Sequence, residues 1–345
     1  MSQKSTRKTD LPLVRLGLVS PFVDELDRRN INCRDVLSEF NLGKQDVLDG
    51  DMFVPAPVMY GIVEQLSMAS GDPHFGVSIG GQLDPFSWPP LAEAAEQSTT
   101  LGEFLIRFLI DATEHESSVI YVMETKGTRT TFHESRKVDG NILPRHNDGF
   151  TVAYLLAILS QALGKQWQGD KVVARLCDPD VLPDGYLEVR TAMTDTFGAS
   201  INFPCAWLIL PLAIKKPRFY KQRQQTKSPL PAKWIEGLRQ ILQRHIHEFD
   251  LTTERVAEIC GYSKRTLARK LQAHNTSIQR EIAEMGKARA EQQLIHTHRS
   301  IAEIAHLLGY SQPTIFSRAF KRWTGCSPRQ YRQQFSTEKK PGRAS

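Results

Sequence analysis

Two stretches near the C-terminal end decide how this chain folds: LTTERVAEICGYSKRTLARKL, residues 251–271, and RSIAEIAHLLGYSQPTIFSRAF, residues 299–320. They are two copies of one pattern. Gly-Tyr-Ser stands at 261–263 and again at 309–311 (309 − 261 = 48 positions on). The second copy then carries one extra residue, so Leu267, Arg269 and Leu271 align with Phe316, Arg318 and Phe320. Each copy predicts a helix, a tight turn and a second helix. Ser300 with Glu303 forms a capping-box pattern, the hydroxyl accepting the third amide and the carboxylate reaching back. Thr252 holds the equivalent place in the first copy, with Glu254 well sited against the dipole of the first turn. Val256/Ile304 and Ala257/Ala305 are expected inward, the small alanine allowing close approach of the following helix. Gly261 and Gly309 fall where the first helix must stop and the backbone turn left-handed. Ser263 and Ser311 are expected to cap the second helices. One such pattern could be an ordinary αα-hairpin. Two, with turn glycine, serine and arginine in register, read as helix-turn-helix units whose second helix enters the major groove.

The residues that the second helices should expose suit that reading. The first offers Lys264, Arg265, Arg269 and Lys270; the other offers Thr314, Ser317, Arg318, Lys321 and Arg322. Arginine grips guanine O6 and N7 with two hydrogen bonds, while hydroxyls and lysines suit phosphates and mixed base edges. Between the copies, Thr276–Ile295 predicts one helix with Ile278, Ile282, Met285 and Leu294 inward. A stiff spacer sets the separation of the two recognition helices, and adjacent major grooves on one duplex face lie about 34 Å apart.

Charge divides the chain in the same sense. The overall balance is +6, with 44 Lys+Arg against 38 Asp+Glu. Residues 1–214 hold 18 bases and 28 acids (18 − 28 = −10), residues 215–227 hold six bases and no acid, and residues 228–345 hold 20 bases and 10 acids (20 − 10 = +10). An acidic front and a basic back point to polyanion binding at one end; the plainer reading of the same surplus is a solvated basic surface. KKPRFYKQRQQTKSPLP, residues 215–231, is polar, basic and proline-flanked, and reads as an interdomain linker.

The front half is of mixed type. Helical spacing marks Pro21–Arg29, Cys33–Phe40, Val58–Met68, Leu91–Ala95 and Leu101–Ile110. Ser118–Glu124 and Thr128–Glu134 are β-rich runs around Lys126-Gly127, a hairpin signal. Phe150–Leu163 is apolar on most faces and predicts a buried helix. Val172–Cys177, Tyr186–Arg190 and Ser200–Phe203 read as further strands. With 345 residues, 40% hydrophobic and 24% charged, two ordinary globular domains are expected. No run approaches 18 apolar residues, so no membrane span is expected, and MSQKSTRKTD does not read as a signal peptide. Five cysteines, Cys33, Cys177, Cys205, Cys260 and Cys326, show neither CxxC nor paired spacing, which suits a reducing, cytoplasmic setting without a thiolate metal site.

From Gly309-Tyr310-Ser311 through Arg318-Ala319-Phe320-Lys321-Arg322-Trp323-Thr324-Gly325-Cys326-Ser327-Pro328 to Tyr331-Arg332, the chain resembles the C-terminal signature of the AraC/XylS family of bacterial transcription regulators. The resemblance covers about residues 235–335. It implies seven helices with two helix-turn-helix units, Arg265 and Arg269 reading bases from the first recognition helix, and Thr314, Ser317 and Arg318 from the second. Two positions depart from the pattern. Pro313, near the start of the second recognition helix, removes an amide donor. Gly286 takes a place in the spacer where relatives usually carry arginine, expected to loosen that helix by about 1 kcal/mol. Val54-Pro55-Ala56, Asp72-Pro73-His74-Phe75-Gly76 and Thr100-Leu101-Gly102-Glu103 resemble the arabinose-binding-type regulatory domain of one branch of the family, which implies effector binding or dimerisation without establishing a sugar ligand.

Some members of this architecture carry amidase-like or DNA-repair modules in front. A nucleophile would need a sharp elbow flanked by small residues. Cys177 in Leu-Cys-Asp-Pro and Cys205 in Phe-Pro-Cys-Ala-Trp lack it, and both read as buried fillers. His115-Glu116 and Arg145-His146-Asn147 are polar groups in a region able to form a pocket, Trp88 reads as core packing, and His296-Thr297-His298 offers too few ligands for a metal. The expectation is therefore an α+β N-terminal regulatory domain followed by an all-α C-terminal domain with two helix-turn-helix units. The parts are a regulatory domain over 1–214, a basic linker over 215–231, a DNA-binding domain over 232–335 and a polar tail over 336–345. Such a chain would act as a sequence-specific DNA-binding regulator, an activator, with no enzyme activity, cofactor or metal. Its partners would be double-stranded DNA, RNA polymerase, a small-molecule effector and a second copy as homodimer. The rival is a non-specific architectural DNA-binding protein without an effector.

Overall fold

Near the start of the chain, Leu13, Val14 and Arg15 form a short strand that is buried throughout. In the computed structural model, residues 11–84, 89–112, 117–137, 143–195, 198–213, 234–245 and 251–335 are described. The linker at 215–231, the tail at 336–345, Trp88 and the His115-Glu116 pair lie outside the described residues. The chain divides into two compact units between Pro231 and Ala232.

The first unit opens with β1 (Leu13–Arg15), α1 (Ser20–Arg28), α2 (Arg34–Glu39), α3 (Lys44–Asp49), β2 (Phe53–Pro55), α4 (Ala56–Ser70) and α5 (Phe75–Gln82). β1 and β2 pair antiparallel, Val14 opposite Val54. Pro55 stands at the N-cap of α4 with its φ already near the helical value. Phe22, Leu26, Leu37, Val47, Ile62 and Phe75 form the core beneath these elements. Four of them, β1, β2, α3 and α5, have no counterpart in the periodicity reading: the first three are too short for a period to show, and α5 carries three glycines in its eight residues.

The unit continues with α6 (Pro89–Glu96), α7 (Leu101–Asp111), β3 (Val119–Lys126), β4 (Arg129–Arg136), α8 (Arg145–Leu163), β5 (Val173–Leu176), β6 (Arg190–Met193) and β7 (Gly198–Pro204). Five strands make one sheet in the order β3-β4-β7-β5-β6. β5 and β6 are parallel; the other pairs are antiparallel. The expected hairpin is present, with Lys126 opposite Arg129 and Gly127 at φ 58°. Thr100 caps α7 by accepting from the Glu103 amide. Phe104, Phe108, Phe132, Val152, Leu156, Ile201 and Phe203 fill the core between helices and sheet. α8 lies across α5 at backbone distance: a Cβ on Gly76 would sit 2.1 Å from the His146 carbonyl oxygen, and one on Gly80 2.2 Å from that of Phe150. The motif Asp72-Pro73-His74-Phe75-Gly76 opens this crossing, Asp72 accepting the His74 amide at 2.9 Å.

Tyr186–Arg190 is not a strand. Tyr186–Glu188 is a 3₁₀ turn with Leu187 at φ 48° and Glu188 at φ 60°, and the strand starts at Arg190. The chain crosses Gly169 so closely that a Cβ there would lie 1.9 Å from the Leu187 carbonyl oxygen, which leaves no room for extended pairing. α8 also begins five residues before the expected Phe150, at Arg145, directly after Pro144.

From Trp234 onward, the described residues carry no strand. Seven helices follow: α9 (Trp234–His245), α10 (Thr253–Ile259), α11 (Lys264–Ala273), α12 (Ile278–His296), α13 (Ile301–Leu307), α14 (Pro313–Thr324) and α15 (Pro328–Phe335). Leu267, Leu271, Phe316 and Phe320 are all buried, so the alignment of the two copies is also an alignment of their cores. Of the spacer positions expected inward, Ile278 and Leu294 are buried while Ile282 and Met285 are half-buried. Among the described residues no helix is long and apolar enough to cross a membrane.

Candidate nucleic-acid interface

The two turns close with the same backbone hydrogen bonds. Thr252 accepts from the Arg255 amide to start α10; Ser300 accepts from Glu303 to start α13, and Glu303 returns to the Ser300 amide at 2.6 Å. That hydrogen bond holds the Glu303 carboxyl below its ordinary range. At the other end, the Tyr262 amide donates to the Ala257 carbonyl at 2.8 Å, and the Tyr310 amide to the Ala305 carbonyl at 2.9 Å. Gly261 at φ 66° and Gly309 at φ 79° supply the left-handed residue between. This six-to-one bond closes each first helix by the same Schellman geometry, and it aims α11 and α14 from equivalent positions.

The starts of α11 and α14 differ. Ser263 caps α11, accepting the Thr266 amide at 3.2 Å. Ser311 does not cap α14: Gln312 is its N-cap, without a side-chain hydrogen bond, and Pro313 follows at N1. The extra residue of the second copy moves the helix start one position past the serine. Pro313, with its fixed φ and missing amide, sets the first turn in place of a side-chain cap.

The structure divides the expected DNA-contacting residues into two groups. Arg265 and Arg269 are exposed one helical turn apart on α11, and Arg318, Lys321 and Arg322 are exposed on α14, with Thr314 one turn before Arg318. The rest are engaged within the protein. Lys264 pairs with Glu254 of α10, holding that carboxyl below its usual range. Lys270 lies over the rings of Trp234 and Tyr262, 5.7 and 5.4 Å from their centroids. The Ser317 hydroxyl donates back to the Pro313 carbonyl at 2.8 Å. Periodicity also passed over Ile315, which is 46% exposed at the start of α14. It is an apolar residue on an otherwise polar helical face.

Elsewhere in the unit, a buried carboxylate ties the spacer to the first helix. Glu281 of α12 is 3% exposed, accepts from Arg239 of α9 at 2.6 Å, and accepts the Thr276 hydroxyl at 2.6 Å. Burial pushes its carboxyl up, but these two hydrogen bonds outweigh that and hold it below the ordinary value. Cys260 is fully buried and its thiol is pushed up to about 12.

Comparison with known proteins bears directly on this arrangement. The family described as "Arabinose-binding domain of AraC transcription regulator, N-term" matches residues 31–210, more than half of the chain, and the one described as "Helix-turn-helix domain" matches 256–334. The chain belongs to the AraC family of transcription regulators. It is similar to the ornithine utilization regulator of Pseudomonas aeruginosa, 33% identical over 140 residues, covering 39% of this chain and 41% of that protein. It is similar also to the HTH-type transcriptional activator RhaS of Enterobacter sp. (strain 638), 34% identical over 93 residues, covering 27% and 33%. The chain thus spans about two fifths of the first relative's length and a third of the second's. Among solved structures it is similar to transcriptional regulator CdpR from Pseudomonas aeruginosa, at 18% identity and a TM-score of 0.41, covering 92% of this chain and 98% of that one.

In this AraC-family chain the N-terminal unit holds two features where an effector could act. One is a gap of about 10 Å³ within the core, lined by ten apolar side chains that include Phe104, Phe132 and Ile201, which is too small for an effector unless the core opens. It presents no hydrogen-bond partner for a sugar hydroxyl. The other is a buried polar cluster at the N-terminus of α8, which sequence reasoning reached only through Arg145-His146-Asn147. Glu64 of α4 accepts the His146 amide at 2.7 Å and the Asn147 amide at 3.4 Å. Burial pushes the Glu64 carboxyl up to about 7, against the lowering by those amides and by Arg145 and Arg136. Arg136 of β4 and Asp148 form a salt bridge with both side chains buried, and the Cys177 thiol donates to Asp148 at 3.1 Å. Cys177 is the buried filler expected of it, with a polar contact added; Cys205 is only half-buried. Among the described residues no group of three or more His, Cys, Asp or Glu could hold a metal ion.

Proposed function

We propose that this AraC-family chain is a sequence-specific DNA-binding transcription regulator, and an activator, that reads two adjacent major grooves of double-stranded DNA with α11 and α14. The observation that carries the reading is the duplicated turn with Arg269 and Arg318 exposed at equivalent positions. Arg265 and Arg269 in the first groove, and Thr314, Arg318 and Ile315 in the second, would contact base edges. Lys321 and Arg322 would meet phosphates, and Lys264 and Lys270 would join them only by leaving Glu254 and the aromatic pair; Ser317 serves α14 before it serves DNA. Residues 1–214 would sense a small molecule or form a homodimer and change how residues 232–335 sit on the duplex, with RNA polymerase as the downstream partner in the cytoplasm. The relatives it resembles are transcription regulators, which supports a role without enzyme activity.

A mobility-shift titration of the full chain tests this, using a duplex from binding-site selection and a scrambled duplex at several salt concentrations. The expected result is a selected motif of two half-sites about one helical turn apart. Affinity for it should fall with a log–log slope near −0.9 for each phosphate neutralised. Equal affinity for both duplexes would favour the architectural reading, and indifference to salt would refute DNA binding of this kind.

A further inference from the structure

Gly286 stands mid-way along α12, buried, where alanine or arginine would make a better helix. Its use lies across the interface. A Cβ at 286 would meet the Cη2 atom of Trp323 at 3.2 Å, so the glycine is the floor on which the far end of that indole rests. Trp323 belongs to the last turn of α14, half-buried, with two further aromatic rings packed against it. Its ring is tilted against Tyr310 and edge-on to Phe320, each at a centroid distance of 6.5 Å. Tyr310 in turn belongs to the turn that aims α14, and packs on Phe316 at 5.6 Å. A shift of the indole by a few tenths of an ångström is therefore passed to α14 itself, because a close-packed contact moves its neighbours rather than compressing.

The first copy supports the same role by a different device. With the alignment that matches Arg269 to Arg318, Trp323 matches His274 (323 − 318 = 274 − 269 = 5). His274 closes α11 and stacks on Trp234 of α9, 5.2 Å apart at 12°. Each second helix thus has its C-terminal end held by a ring against the helix that precedes its pair: α9 for α11, α12 for α14. Only the second anchor needs a glycine, because there the ring rests on backbone instead of on another ring.

We infer that Gly286 is a positioning residue for DNA reading, and that the Gly286–Trp323 contact sets the pitch of α14 in its groove. The inference rests on the reading that α14 enters a major groove. Base-edge hydrogen bonds are lost when donor and acceptor drift by a few tenths of an ångström or turn out of line, so a small change of pitch acts on selectivity before it acts on folding.

The experiment uses the full chain and a duplex obtained by binding-site selection, with Arg269→Ala and Arg318→Ala first used to mark which base positions belong to α11 and which to α14. Gly286→Ala is expected to lower affinity about tenfold, the size of one lost base contact. The loss should fall on the positions marked by Arg318→Ala, with those marked by Arg269→Ala unchanged and the melting temperature not lowered. Trp323→Phe, which shortens the ring and opens a gap, should lose discrimination at the same positions. The double variant Gly286→Ala/Trp323→Phe, in which the new methyl fills that gap, should return to within about twofold of the parent. An even loss over both half-sites, unchanged selectivity in Gly286→Ala, or a double variant no better than the worse single one would overturn the inference. Absence of any selected motif for the parent would instead defeat the DNA-reading proposal itself, which separates the two failures.

Discussion

At the scale of single residues, the arginines at 269 and 318 carry the most direct prediction. Both are exposed at equivalent places on their helices. Replacing either with alanine is expected to cost about 1–3 kcal/mol of binding, concentrated at one base position. Binding-site selection repeated on each variant reads this out, and a variant that selects the parental motif would remove that arginine from the base-reading set. A second residue governs stability. The folded-state carboxyl of Glu64 titrates near 7, above its ordinary value of 4.5. The folded protein therefore holds that proton more tightly than the unfolded chain does. The resulting stabilisation is complete below about pH 4.5 and is lost as pH rises through 7. Urea melts of the full chain should show stability falling between pH 5 and 8, and the Glu64→Gln variant should lack that part of the slope; an identical slope would clear Glu64 of the role. The sequence announced neither Glu64 nor its partners as a cluster. Glu64, Arg136, Asp148 and Cys177 come from four separate stretches, and only the fold brings them to one helix end. The equivalent placement of Arg269 and Arg318 was legible because a repeat supplies its own register. Ser311 was misread as a cap for the same reason: the repeat suggested symmetry where one inserted residue had moved the helix start.

At the scale of elements, the crossing of α5 and α8 brings two helix backbones into close contact in the first unit. Gly76 and Gly80 stand one helical turn apart and both face the α8 backbone. Gly80→Ala would place a methyl carbon 2.2 Å from the Phe150 carbonyl oxygen, so the two helices must part. Overpacking of this kind costs typically about 1–3 kcal/mol, and the thermal melt of the first unit should drop accordingly. Gly71→Ala is a useful contrast. Its position lies in open space, so only the left-handed φ of 66° resists the change, and a drop as large as that of Gly80→Ala would contradict the packing argument. The four-residue spacing of the glycines is visible in the sequence, but which backbone approaches them is not. Long amphipathic helices and the β3–β4 hairpin were legible from period and turn chemistry. The 3₁₀ turn at 186–188 was not, because the crossing over Gly169 overrides a locally β-prone run.

At the scale of the whole molecule, the charge asymmetry and the division into two compact units coincide. The acidic residues lie with the mixed unit and the basic surplus with the helical one. That much could be read from where Lys, Arg, Asp and Glu fall. The order of the five-stranded sheet could not, since β7 inserts between β4 and β5 and no local pattern encodes such a partner. That order has a consequence for time. Thr131 pairs with Asn202 (202 − 131 = 71 positions apart), so the centre of the sheet cannot form until a long span of chain has closed on itself. In the helical unit, the turn bonds join residues five positions apart, as from Tyr262 to Ala257. Local contacts form fast and distant strand pairings slowly. On dilution from denaturant, pulse-labelling hydrogen exchange should find the amides of α10 to α14 protected well before those of β4 and β7, and simultaneous protection would show the two units folding as one. During synthesis from the N-terminus the order of appearance runs the other way: the slow-folding unit emerges first and has the whole translation of the helical unit in which to close its sheet.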